Sequence, residues 1–278
     1  MRYAVKVAYD GRKFHGSQIQ PGLRTVEGDF LEVAERIGII EDRMTFSRAS
    51  RTDAGVSALG NIFTFESGFR KEEILPALNS QLRDIWVRGI SKAPEDFNPR
   101  WAVRRRYRYY LPYAPDFDVE AATVAASLFQ GEHDFSSYTR DRGKETIINL
   151  EDVRVIPAGI SINLRNSGGS EGYGIEDKEL ARFLQIDITA NHFLWNMVRR
   201  IIGAVTAVGS GEMDVKSIKS TLIGSPLPAV VRPAPPELLL LMDIEYREPL
   251  PMEYDVEMEA LFHEDGLFSP VFCSILSL

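Results

Sequence analysis

The chain has one cysteine, four scattered histidines and no excess of basic residues, and each shortage removes a class of function. Cys273 alone cannot form an internal disulfide, which excludes a disulfide scaffold, and it sits in the apolar tail Val271-Phe272-Cys273 as a packing residue. The histidines show no zinc-ligand spacing, and no Gly-x-x-x-x-Gly-Lys phosphate loop occurs. No metal and no cofactor is therefore expected. No apolar run reaches the length of a membrane span, and Met1-Arg2-Tyr3 opens directly into a strand pattern, so neither a span nor a leader is expected. A reducing, cytoplasmic setting fits these shortages. Gly168-Gly169-Ser170-Glu171-Gly172 has the spacing of a hydrolase nucleophile elbow, but it continues as a polar glycine-rich stretch where that elbow needs a strand-to-helix turn.

With 32 basic and 40 acidic residues the net charge is -8, so the average field repels a polyanion. A nucleic-acid face would have to be concentrated locally. Arg100, Arg104, Arg105, Arg106 and Arg108 crowd one short segment and form the candidate, with a solvated strand face as the plain alternative.

At 278 residues, 44% of them hydrophobic, the chain is long enough for a large core or two domains about a cleft. Alternation predicts strands over 2–9, 85–91, 102–112, 152–164 and 182–190, and a buried strand through Leu238–Ile244. Helical spacing predicts helices after an N-cap at Thr25 and over 71–81, 119–129, 192–208 and 214–222. This order gives an α+β fold with a central, mostly antiparallel sheet and helices packed on it. The stretches 139–147 and 166–175 read as mobile loops that can close over a substrate, and Ser225–Pro236 as a rigid connector. His133 and Asp134 read as a pair that caps or orients a loop, and Gly209 and Gly211 as helix-end residues.

The segment Ser50-Arg51-Thr52-Asp53-Ala54-Gly55-Val56-Ser57-Ala58 sets one carboxylate between an arginine and a turn of small residues. Ala54 and Gly55 add almost no bulk, so a backbone or ligand can approach closely. Arg51 can bind phosphate or hold the aspartate ionised. On the helical wheel of 193–205, a narrow strip of Asn196, Arg199, Arg200 and Gly203 interrupts an otherwise apolar surface. In a strand over 102–112, Arg105, Tyr107 and Tyr109 share one face, and Arg104, Arg106 and Arg108 the other. One face can line a pocket while the other binds phosphate.

The Asp53 segment resembles the Arg-Thr-Asp-Ala-Gly-Val signature of the tRNA pseudouridine synthases of the TruA family. Further segments resemble that family in order along roughly residues 3–246. They include Tyr9-Asp10-Gly11, Thr25-Val26-Glu27, Phe97-Asn98-Pro99-Arg100-Trp101, Arg105-Arg106-Tyr107-Arg108-Tyr109, Gly131-Glu132-His133-Asp134-Phe135-Ser136 and Phe193-Leu194-Trp195-Asn196-Met197-Val198-Arg199. Ser50, Ser57 and Glu237 depart from the bacterial pattern, and the pattern around Asp53 is similar to the archaeal branch.

The resemblance implies a pseudouridine synthase fold, with two α/β subdomains (residues 1–104, carrying the aspartate, and 105–278) sharing the sheet about a catalytic cleft. It implies Asp53 as the catalytic residue, Tyr107 as the active-site tyrosine and Arg199 as the partner of the aspartate. Arg51, Arg105 and Arg106 are the expected RNA contacts, together with Tyr107 against the base. The implied substrate is the anticodon stem-loop of tRNA around positions 38–40, and the implied assembly is a homodimer. A non-catalytic RNA-binding protein on the same scaffold and a nucleoside hydrolase are the competing readings. The second lacks a convincing second carboxylate.

Overall fold

The computed structural model describes residues 1–141, 145–161, 180–260 and Phe262. Within them, ten strands form one sheet: β1 (Arg2–Tyr9), β2 (Ser47–Arg48), β3 (Ser57–Glu66), β4 (Ile85–Lys92), β5 (Arg104–Pro112), β6 (Gly131–Asp134), β7 (Ile147–Ser161), β8 (Leu180–Ala190), β9 (Leu239–Glu245) and β10 (Glu253–Tyr254). Their spatial order is β10-β4-β1-β3-β9-β5-β8-β7-β6, with β2 paired to β3. Every pairing among these strands is antiparallel except that of β3 with β9. The α+β reading, with its mostly antiparallel sheet, holds.

Six helices accompany the sheet among the described residues: α1 (Val26–Arg36), α2 (Lys71–Gln81), α3 (Val119–Ser127), α4 (Met197–Gly209), α5 (Val215–Thr221) and α6 (Val256–Ala260). Thr25 caps α1 as expected, its hydroxyl accepting from the Gly28 N–H at 3.2 Å. The helix buries Val26, Phe30, Leu31 and Ala34, and Phe30 meets Phe63 of β3 edge-on at 5.1 Å. On α3, Ala122, Ala125 and Ala126 make a flat buried face that lets α4 pack closely. One large core runs beneath these helices, from Tyr3 and Val5 of β1 to Ile186 and Ile188 of β8. A smaller apolar cluster, including Ala8, Leu59, Tyr110, Leu240 and Phe262, gathers separately, and Met258 of α6 packs against it.

β9 does most to bring the chain together. It is inserted between β3 and β5, pairing Ser57 with Leu240 on one side and Tyr107 with Leu241 on the other. The strand after the Asp53 turn and the strand carrying Tyr107 are therefore one strand apart. Sequence alternation identifies β9 as buried but does not supply this neighbourhood.

The helix boundary that differs most from expectation is the start of α4. The helix expected from residue 192 starts at Met197, because Asn196 lies in the left-handed region at φ 63° and breaks the helical path. The connector 225–236 is pinned as expected: the Ala234 N–H donates to the Arg199 carbonyl at 2.8 Å. Gly203 permits this approach, since a Cβ there would lie 1.9 Å from the Arg232 carbonyl oxygen. The glycine-rich stretch 166–175, with the Gly168–Gly172 elbow-like motif, and Cys273 lie outside the described residues.

Candidate active site

Asp53 opens a β-turn that leads into β3, closed by the Val56 N–H donating to the Asp53 carbonyl at 3.1 Å. Gly55 sits at the third position of this turn with φ 84°, and a Cβ there would lie 2.8 Å from Pro236 Cγ. The small residues thus admit the Pro236 ring at the end of the 225–236 connector. Behind the turn, the segment 50–52 is bolted to the core by polar side chains. The Asn61 amide donates to the Ser50 carbonyl at 2.9 Å and to the Tyr9 hydroxyl at 3.2 Å, and its oxygen accepts from the Ser50 N–H. Thr52 is held by the Tyr9 hydroxyl at 2.9 Å and, through its N–H, by the Ser17 hydroxyl at 2.9 Å. Asn61 is completely buried, so these bonds form without competition from water.

Arg199, in the first turn of α4, brings Nη1 to 3.7 Å from Asp53 Oδ2. Its guanidinium is itself fixed, donating to the Ala234 carbonyl at 2.7 Å and to Asn196 Oδ1 at 3.0 Å. Burial pushes the Asp53 carboxyl above its ordinary value, and the Arg199 charge is the largest influence opposing that rise. Tyr107 completes the cluster from β5. It is buried, its ring edge-on to Phe193 at 5.1 Å, and within electrostatic reach of both Asp53 and Tyr9. Burial pushes its phenol well above the ordinary value, so it stays protonated at neutral pH. The three residues expected to share a site, Asp53, Tyr107 and Arg199, come together.

The arginine-rich segment divides differently from the expected pattern. Arg105 is buried, and its guanidinium donates to Ser50 Oγ at 2.9 Å, to the Arg100 carbonyl at 3.0 Å, to the Ala49 carbonyl at 3.2 Å and to the Asn191 carbonyl. Arg108 is also buried and forms a forked pair with Asp187 at 2.7 and 2.9 Å. Arg104 pairs with Glu151 and Glu245. A phosphate-binding face of Arg104, Arg106 and Arg108 is thus not what β5 presents, because carboxylates on neighbouring strands already occupy two of the three. Arg106 and Arg100 form no ion pair among the described residues, and Arg51 is exposed beside the Asp53 turn. Arg200, the other arginine of the helical strip, turns away and donates to the Ser137 carbonyl at 3.0 Å.

A family model described as tRNA pseudouridine synthase matches residues 125–247. The "tRNA pseudouridine synthase A" of Thermococcus kodakarensis is 40% identical over 251 residues, 88% of this chain and 85% of that protein. Those of Pyrococcus abyssi and Pyrococcus horikoshii are 40% and 37% identical, over 88% and 94% of this chain and 85% and 90% of their own. This chain belongs to the tRNA pseudouridine synthase A family. As a pseudouridine synthase it is an isomerase. Among solved structures, one titled "Crystal Structure of a Cbf5-Nop10-Gar1 Complex" is 13% identical over 73% of this chain and 45% of that chain, at a TM-score of 0.36.

Within this synthase, the resemblance marks the segments of Tyr9 and Glu27 but not what their side chains do. Ser17 looks like an ordinary loop residue until the turn folds back on it. Glu27 is buried and pairs with Arg48 at 2.7 Å beneath Arg51, and burial pushes its carboxyl up to about 7. Asp134 holds the following loop, accepting from the Ser136 N–H and the Thr146 hydroxyl, while a His133 ring nitrogen meets the Gln130 carbonyl at 3.0 Å.

Proposed function

We propose that this chain isomerises uridine to pseudouridine in the anticodon stem-loop of tRNA, at positions 38–40, with Asp53 as the catalytic carboxylate. The observation that carries this reading is the Asp53–Arg199 contact at 3.7 Å, with the buried Tyr107 within electrostatic reach of Asp53. The reaction breaks the N1–C1′ bond, turns the uracil, forms a C5–C1′ bond and moves the C5 proton off the base while N1 regains one. Nothing is oxidised or hydrolysed. What it needs is an ionised carboxylate at C1′, as nucleophile or counter-charge, in a pocket that excludes water. The fixed guanidinium of Arg199 supplies the charge that keeps Asp53 ionised despite burial. Tyr107, protonated and wedged against Phe193, offers a ring surface and a neutral donor to the base.

A paired uridine must leave its stack to reach Asp53, and the exposed Arg51 beside the turn serves as wedge or phosphate anchor. Arg106 contacts the RNA backbone, whereas Arg105 serves the site by holding Ser50. Residues 1–104 supply the aspartate and residues 105–278 supply Tyr107 and Arg199, so the cleft lies between these two parts. The working form is a cytoplasmic homodimer. Incubation of tRNA transcripts carrying tritium at uridine C5 tests the reaction. Tritium release with pseudouridine mapped to positions 38–40, and no free uracil, is expected. Free uracil would mark a hydrolase, and tight binding without product would mark an RNA-binding protein.

A further inference from the structure

Trp101 exposes 74% of its surface, more than any other aromatic side chain among the described residues, and its ring contacts no other ring there. Its main chain is fixed from three sides. The Trp101 N–H donates to the Asn98 carbonyl at 3.0 Å, and Asn98 Oδ1 accepts from the Arg100 N–H at 3.0 Å, which closes the turn 98–101 on itself. Beneath it, the Tyr246 hydroxyl donates to the Pro99 carbonyl at 2.8 Å, and the Tyr246 ring packs against Phe97 at 4.9 Å. Lastly, Arg105 Nη2 donates both to the Arg100 carbonyl at 3.0 Å and to the Ala49 carbonyl at 3.2 Å. One nitrogen thus lashes this turn to the segment that leads to Asp53. Arg100 and Arg51, exposed on the two lashed segments, form no ion pair among the described residues. Arg48, next to Ala49, pairs with the buried Glu27 at 2.7 Å, and the charges of Arg51 and Arg100 reach that same carboxylate. Three arginines gather about one carboxylate.

We propose that the 98–101 turn is a tRNA-docking element, in which the Trp101 ring stacks on an unpaired base beside the extruded uridine and Arg100 meets the adjoining phosphate. This rests on the function proposed above. A turn held so firmly keeps a large apolar ring in water at no cost in later ordering, and a base can cover that ring whatever its identity, because every base has a π-face. An unpaired guanidinium beside the ring suits the phosphate that comes with the base. A contact between protein subunits is the other use of an exposed tryptophan, but the core of such a contact is poor in charge. Here the adjoining residue is Arg100, and Arg51 stands on the segment lashed to it, both unpaired among the described residues. RNA is therefore the partner that answers both side chains.

The test is binding of an unmodified tRNA transcript by the wild type, Trp101→Phe, Trp101→Ala and Arg100→Gln, read by tryptophan emission and by affinity at several salt concentrations. Both side chains are exposed, so the variants should keep the wild-type melting temperature. RNA is expected to quench part of the wild-type emission, and that part should be missing in Trp101→Phe, which still stacks and binds within about 3-fold of the wild type. Trp101→Ala is expected to bind about 10-fold more weakly with its salt slope unchanged. Arg100→Gln is expected to reduce the magnitude of that slope by about one. Wild-type affinity in Trp101→Ala, or the full quench in Trp101→Phe, would overturn the stacking role. An unmoved slope in Arg100→Gln would overturn the phosphate contact. A Trp101→Ala protein that binds RNA normally but elutes as a smaller species would overturn the proposal in favour of a subunit contact. These readouts need no turnover, so a wild type that binds through Trp101 and forms no pseudouridine would sink the proposed function alone.

Discussion

Arg199 stands 3.7 Å from Asp53 while its other contacts, to Ala234 and Asn196, hold the guanidinium in place. A charge fixed in this way acts without reorganising as the reaction proceeds. Burial raises the Asp53 carboxyl and Arg199 is the largest influence drawing it back down. Arg199→Gln should therefore raise it further. The proposed reaction uses the ionised form, so the acidic limb of the single-turnover rate is expected to move to higher pH. A pH–rate profile checks this, and Arg199→Lys should restore part of the shift because the charge returns without the fork.

Asn61 makes three side-chain hydrogen bonds to Ser50 and Tyr9 in a fully buried setting. Asn61→Ala leaves the Ser50 carbonyl and N–H without those partners, at a cost of about 1–3 kcal/mol. Chemical denaturation should show that loss. The turnover rate should fall while the affinity for tRNA stays within a few-fold, because the defect lies in the placement of the Asp53 segment.

Arg105 and Arg106 are neighbours with opposite expected behaviour. Arg105 donates to four interior oxygens, two of them on residues 49 and 50 of the Asp53 segment. Arg105→Lys should lower stability and turnover and leave the salt dependence of tRNA binding unchanged. Arg106→Ala should leave stability intact, weaken binding and reduce the magnitude of the salt slope by about one. Binding titrations at several ionic strengths separate the two.

Gly55 combines a positive φ with Pro236 packed where a side chain would begin. Gly55→Ala should cost about 1–3 kcal/mol and displace the 225–236 connector, whose Ala234 carbonyl holds Arg199. The melting temperature should drop, and the acidic limb should shift in the same direction as in Arg199→Gln.

Much of the fold and site is legible in the sequence where the physics is local. The apolar spacing of Ile74, Leu75 and Leu78 marks α2 to its ends, and Thr25 marks the start of α1. Asp53, Tyr107 and Arg199 stand out because each lies in a segment that resembles the same family. Long-range partners are another matter. Alternation along β5 places Arg105 on the face of Tyr107, but it cannot see Ser50 and Asn191 waiting there, nor Asp187 opposite Arg108. Those partners come from strand order, and the order depends on β9 entering between β3 and β5. The late start of α4 has the same character: Asn196 reads as a helical residue until its left-handed backbone and the Asp141 contact to Trp195 are seen.

The measurement that tests the central claim most directly is single-turnover pseudouridine formation on an unmodified tRNA transcript by wild type and Asp53→Asn, with tRNA affinity measured in parallel. Asn keeps the shape of the side chain and removes its charge. The expected result is pseudouridine at positions 38–40 with the wild type, a rate lower by more than about 1,000-fold with Asp53→Asn, and affinities within a few-fold of each other. An Asp53→Asn enzyme that forms pseudouridine at a rate near that of the wild type would contradict the account.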